Sequence, residues 1–261
     1  MSDKIVKTLA CEWQAAGIER GDIILIHSSI SRLLRRLVKS GAKADPALIV
    51  QSLLIALGEE GTLVAPLFNF DFTQGIAFDI RTSKSAMGAL TESVRQWPGA
   101  VRTGHPIYSF AIVGKHAPAF AGIDNFSGYG ADSPFAVLHQ LDGKIGVIDL
   151  PEQHSMTFYH YVEESLSAPY RYHKTFSGPY TDAEGLTSER RYGLFVRDIE
   201  QGVLTHVNPM GELLWENGFY SGTRPGIGSG MRVVKAATVF NEASRILKEG
   251  KAKGILYEVQ Q

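Results

Sequence analysis

Apolar positions recur along the chain with two periods, and the period switches from segment to segment. Between Asp3 and Ala16 they fall at Ile5, Leu9, Trp13 and Ala16, a helical spacing with Ser2 or Asp3 as cap and Gly17 as stop. Asp22-Ile-Ile-Leu-Ile-His27 is instead a continuous β-branched run between Gly21 and Ser28, which predicts a buried strand. Asp45-Pro46 opens a helix with proline at its first position, and Gly58 follows its end. Thr62 to Pro66 is a second buried strand, Ser85 to Trp97 a helix stopped by Pro98-Gly99, and Ile107 to Val113 a strand. The pattern then predicts a helix over Pro134 to Leu141, a strand over Lys144 to Leu150 and a helix over Ser155 to Leu166. Tyr170 to Asp198 breaks the rhythm with short alternating runs rich in Tyr, Arg, Ser and Thr, an antiparallel excursion. Helices over Pro209 to Asn217 and Lys235 to Lys248 follow. Alternating strands and helices predict one α/β domain over 1–261: a central mixed sheet flanked by helices, with a smaller antiparallel subregion at 170–200.

Composition narrows the class. Lys plus Arg is 26 against 27 for Asp plus Glu, a net charge of −1, whereas a dedicated nucleic-acid binder shows a basic excess. Nucleic acid is therefore not an expected partner. No apolar stretch approaches the roughly 20 residues a membrane helix needs, and the N-terminal segment has no apolar signal core. The expectation is a soluble, cytoplasmic protein that does not engage a membrane; a homodimer is compatible with the sequence. The single cysteine, Cys11, excludes an internal disulfide and a cysteine-built zinc cluster; it is expected in the core of the first helix.

Several motifs carry potential chemistry. Gly226-Ile-Gly228-Ser-Gly230 follows Arg224-Pro225 rather than a strand, so it reads as a tight turn and not a dinucleotide fingerprint. A P-loop and a G-x-S-x-G elbow are absent. His160 and Glu163 stand at i and i+3, one helical turn apart, where a carboxylate can orient an imidazole and raise its basicity. Spacing alone slightly favours a half-exposed helix face for that pair. Without a second nearby histidine it is a poor metal site, and no metal is expected. Ser28 and Ser29 follow a buried strand directly, where open α/β sheets bind ligands; the competing reading is a helix cap at Ser28, Ser29 or Ser31. Thr82-Ser83-Lys84-Ser85-Ala86-Met87-Gly88 likewise combines a cap with a small-residue helix start suited to a ligand anion. The basic cluster Arg32, Arg35, Arg36, Lys39 and Lys43 reads better as a solvated helix face than as a phosphate site.

Five ordered blocks together resemble the aminoglycoside 3-N-acetyltransferase family, the antibiotic N-acetyltransferase type. They are Ile24 to Ile30, Gly61 to Pro66, Phe78-Asp79 through Thr82 to Glu92, Pro98 to Gly114 with its His105-Pro106-x-x-Ser109 core, and Tyr129-Gly130 to Ser133-Pro134 continuing to Thr157-x-x-His160-x-x-Glu163. The resemblance covers nearly the whole chain and is clearest over 22–166. It implies an antibiotic N-acetyltransferase-like fold and transfer of an acetyl or related group from acetyl-CoA or another acyl-CoA to the amino group of an amino sugar. It raises His160 to the expected general base, with Glu163 as its partner. It places the cosubstrate near Ser28, Ser29, Ser83, Ser85, Met87, Gly88 and Ser109, and the acceptor near Asp71, Phe72, His105 and Tyr129. Oxyanion donors are expected around Ser28, Ser29 or Ser109.

The departures concern the acceptor. Drug-modifying members carry several acidic residues after the second strand, whereas Leu67 to Gly75 is aromatic and nearly neutral, with Asp71 and Asp79 the only carboxylates on that side. His154 stands where members often have Asp. The expected acceptor is therefore a less cationic amino sugar of the kind used in surface polysaccharides, such as a nucleotide-linked one. The alternatives are an aminoglycoside antibiotic, a thioester or amide hydrolase using the same histidine, and a non-catalytic CoA or sugar binder.

Overall fold

The structure is a computed structural model and describes residues 2–260. In chain order its regular elements are α1 (Ser2–Ala15), β1 (Ile23–Ser28), α2 (Ser31–Lys39), α3 (Pro46–Leu57), β2 (Thr62–Pro66), β3 (Phe78–Asp79), α4 (Ala89–Arg95), β4 (Val101–Arg102), β5 (Phe110–Gly114) and α5 (Pro134–Gln140). They continue with β6 (Lys144–Ile148), α6 (Phe158–Ser165), β7 (Arg171–Thr181), β8 (Thr187–Arg197), β9 (Val203–Thr205), α7 (Asn208–Glu216), β10 (Ser221–Gly222), β11 (Met231–Lys235), α8 (Ala236–Lys248) and β12 (Tyr257–Val259).

Seven strands form the central sheet in the order β10-β11-β6-β1-β2-β5-β4. β1 lies parallel to both β2 and β6, while β11 joins β6 and β5 joins β2 antiparallel. The sheet is mixed, as the sequence predicts. The continuous apolar runs follow from burial on both faces. Along β1, Ile24 and Ile26 turn into the core under α1 and α3, while Ile23 and Leu25 turn into the core shared with α5, α6 and α8. The excursion is a long ribbon, with β7 and β8 paired antiparallel from Arg171↔Arg197 to Thr181↔Thr187, and β3 added parallel to β7. β12 and β9 make a separate pair.

Local chemistry explains most boundaries. Asp45 accepts the Ala47 amide at 2.9 Å, and Gly58 closes α3 with positive φ. The glycine-rich segment is a turn: Gly226, Gly228 and Gly230 all have positive φ, and the turn folds over Asp149, which accepts the Gly226 amide.

Four expectations are corrected. The helix expected from Ser85 begins only at Ala89, because Gly88 sits at φ 104°, outside helical space. The strand expected from Ile107 begins at Phe110. Cys11 is exposed, on the outer face of α1. No side chain caps α2, whose N-cap is Ile30, so the capping reading of Ser28, Ser29 and Ser31 falls. The basic cluster is a helix face: Leu33 and Leu37 of α2 turn inward, while Arg32 is held by Asp149 and Arg36 by Glu12. No described helix is long and apolar enough to cross a membrane.

Candidate active site

His160 lies on the first turn of α6 with Glu163 one turn further on, as the spacing requires. Its Nδ1 stands 2.9 Å from Glu163 Oε2. Glu163 is only 2% exposed, yet its carboxylate is well partnered. The Tyr170 hydroxyl donates to Oε1 at 2.8 Å, and Arg171 Nε lies 2.8 Å from Oε2 as an ion pair. Burial pushes the Glu163 carboxyl upward, but Arg171, His160 and Tyr170 more than offset it and hold the group below its ordinary range.

Arg171 was not singled out from sequence. It leads β7, the first residue of the ribbon, and its Nη2 also lies 2.9 Å from His160 Nδ1. One ring nitrogen thus faces both an acceptor and a donor. With the proton on Nδ1 it donates to Glu163 and leaves Nε2 bare; without it Nδ1 accepts from Arg171. Burial first, then the Arg171 charge, lowers the His160 pKa below 6.5, against the opposing pull of Glu163. The imidazole is therefore neutral at neutral pH.

His160 borders two clefts. The larger, about 550 Å³, is walled by Tyr108 and Tyr129 on one side and by the ribbon on the other. The Tyr129 ring centroid is 5.1 Å from that of His160. The smaller, about 160 Å³, runs along Gln153 to Thr157 and out to Val207. Thr157, which lines it, has its Oγ1 3.5 Å from Nε2 of His27, the residue before Ser28 at the carboxyl end of β1.

Other expected site residues are placed elsewhere. His105 is fully buried: Nδ1 accepts the Ile107 and Tyr108 amides at 3.2 and 3.0 Å, and Nε2 faces the Gly193 carbonyl at 3.3 Å. It braces the turn before β5 and has no exposed surface. Ser109 is also enclosed, its hydroxyl receiving Arg102 Nε and Nη2 at 3.4 and 3.3 Å, so it supplies no oxyanion donor. The Ser29 amide is committed to the Ile148 carbonyl at 2.8 Å. Phe72 is buried edge-on to Tyr192 and Gly178. Asp71 is exposed and lines a separate cleft of about 200 Å³ with Ser83 and Lys84, apart from His160. Ser83 accepts the Asp79 amide, and Ser85 is engaged with Thr91 and the Met87 amide. Met87 is half-buried and Gly88 exposed beside them. Among the described residues no three His, Cys, Asp or Glu side chains gather into a metal-ligating group.

The mixed-sheet α/β domain thus carries a His/Glu/Arg group between two clefts. The family model for aminoglycoside 3-N-acetyltransferases matches residues 25–248, and the chain belongs to that family. It is 29% identical to aminoglycoside N(3)-acetyltransferase VII of Streptomyces paromomycinus over 181 residues, 62% of this chain and 60% of that one. It is 26% identical to aminoglycoside N(3)-acetyltransferase III of Pseudomonas aeruginosa over 170 residues, 58% of this chain and again 60% of the relative. The matches thus span about 60% of these relatives' length. Among solved structures, aminoglycoside acetyltransferase AAC(3)-Xa superposes with a TM-score of 0.78 at 26% identity, covering 94% of this chain and 92% of that one. AAC-IIIb in binary complex with CoASH superposes with a TM-score of 0.79 at 22% identity, covering 94% and 96%, a likeness of fold.

Proposed function

We propose that the chain is an acyl-CoA-dependent N-acyltransferase whose acceptor is the amine of an amino sugar and whose general base is His160. The position of His160 between two clefts carries this reading, because acyl transfer in a ternary complex needs a base where two substrates meet. A sugar amine is largely protonated near neutral pH and cannot attack as an ammonium ion, so a proton must leave before or during attack on the thioester. His160 Nε2 takes that proton, while Nδ1–H donates to Glu163, which holds the tautomer and stabilises the imidazolium. The nitrogen–carbonyl bond forms, the carbon–sulfur bond breaks, and CoA leaves as its thiol. The smaller cleft, joined through Thr157 and His27 to the end of β1, suits the thioester, with Ser28 and Ser29 near its path.

The relatives' names support an aminoglycoside-type acceptor; no comparison speaks for the expected surface-polysaccharide amino sugar. His160→Ala tests the base. Acyl transfer from acetyl-CoA to an amine, followed by thiol release, should fall on the order of 100- to 10,000-fold. Retention within a fewfold would sink the assignment. Thiol release without any amine present would instead mark a hydrolase.

A further inference from the structure

The larger cleft has a one-sided charge. Arg171, Lys174 and Arg197 line it, and among the described residues no carboxylate does. The carboxylates around it are engaged: Glu163 behind His160, Glu164 on the Ser127 hydroxyl at 2.8 Å, and Asp198 on Gln201 at 2.8 Å. Arg171 is held by Glu163 and donates to the Phe195 carbonyl at 2.6 Å, just as Arg36, Arg224 and Arg245 are each held by a glutamate. Arg197 has only a 3.4 Å bond to the Thr205 hydroxyl, and Lys174 only the Phe176 ring beneath it, 5.6 Å away.

Arg171 and Arg197 are also direct cross-strand partners at the open end of the ribbon. Like charges in that position repel and weaken the pairing. Arg171 is compensated by its ion pair with Glu163 at 2.8 Å, whereas Arg197 meets no carboxylate among the described residues, and a local rule broken without a compensating contact marks a functional site. The exposed Phe70, Tyr172 and Ile199 beside them offer an apolar platform for a ring.

We propose that Lys174 and Arg197, next to the Arg171–Glu163 pair, form an anion subsite beside the reacting centre, taking a phosphate or carboxylate carried by the acceptor amine or by the acyl group. The proposal rests on the acyl-transfer reading above and names its substrate class. CoA's own phosphates are a poor match, because the whole pantetheine arm separates them from the thioester, whereas Arg171 touches the base itself. A polycationic acceptor would meet repulsion from Lys174 and Arg197.

The test compares kcat/KM for glucosamine, glucosamine 6-phosphate and a polycationic aminoglycoside with acetyl-CoA, and for glucosamine with succinyl-CoA. The wild-type chain should favour one anionic pair over glucosamine with acetyl-CoA by at least about tenfold, one decade of binding. An advantage for glucosamine 6-phosphate places the anion on the acceptor; an advantage for succinyl-CoA places it on the acyl group. The double variant Lys174→Glu/Arg197→Glu should abolish or reverse the advantage, with Lys174→Gln/Arg197→Gln between. Equal efficiency for neutral and anionic pairs, or an aminoglycoside preference that the variants leave unchanged, overturns the subsite. If no amine is acylated in a His160-dependent manner, the transferase reading fails, and the subsite is judged by calorimetric titration with glucosamine 6-phosphate. Binding lost in the double variant supports it; binding absent or equal in both proteins refutes it.

Discussion

His160, the proposed base, is pulled in two directions by the residues on its Nδ1. Glu163 favours the imidazolium, whereas burial and Arg171 disfavour it. The net shift is downward, so the acid limb of kcat/KM, which reports the free enzyme's base, should lie below pH 6.5. Glu163→Gln removes the favourable pull and should move that limb lower still. It should also reduce kcat about 10- to 100-fold, the loss of one charged hydrogen bond to the imidazolium. Arg171→Met should move the limb the other way. Limbs shifted in the same direction by both variants would show that the two residues do not act on His160 as opposed charges. Sequence made half of this visible. The i, i+3 spacing of His160 and Glu163 is a local fact, but Arg171 joins them only because the chain turns between α6 and β7. His105 and Ser109 misled for the same reason: their chemistry suggested a site, and their burial, which decides against it, is tertiary.

At the scale of elements, the loop from β6 into α6 is clamped to β11 by a buried network. Glu152 accepts the Tyr159 and Tyr220 hydroxyls at 2.6 and 2.8 Å and Arg232 Nη2 at 3.1 Å; Arg232 also donates to the Leu150 carbonyl at 2.6 Å. Arg232 is 1% exposed. Arg232→Met should therefore destabilise the fold by about 3–5 kcal/mol, the penalty of stranding a buried carboxylate, read as a drop in the urea midpoint. A loss below 1 kcal/mol would show Glu152 content with its tyrosines. The buried strands β1, β2 and β6 were legible because burial on both faces writes an uninterrupted apolar run. β11 was not, since its Arg232 looks like a surface residue and the glycine turn dominates its approach. The start of α4 was misplaced because a backbone requirement at Gly88 overrode a helix-forming pattern.

Over the whole molecule, near-neutrality conceals two internal imbalances: the cationic cleft and a set of histidines kept uncharged. His27 and His105 are lowered to about 3 and about 4, both by burial first. In the unfolded chain each takes a proton near pH 6.5, while the folded chain refuses it until the lower value. Stability must therefore fall as pH drops through that window, by about 1.4 kcal/mol per pH unit for each histidine. The urea midpoint should decline between pH 6.5 and 5, where most carboxylates remain ionised; a flat profile would falsify the neutral assignment. The strand order has a consequence in time as well. Ile24 of β1 pairs with Lys144 of β6, roughly 120 residues later. At ordinary translation speeds that neighbour leaves the ribosome roughly 6 to 24 seconds after β1 does. Until then β1 has one open, apolar edge, the kind of surface on which nascent chains aggregate. The same topology that brings His27 to Thr157 therefore leaves a sheet edge waiting during synthesis.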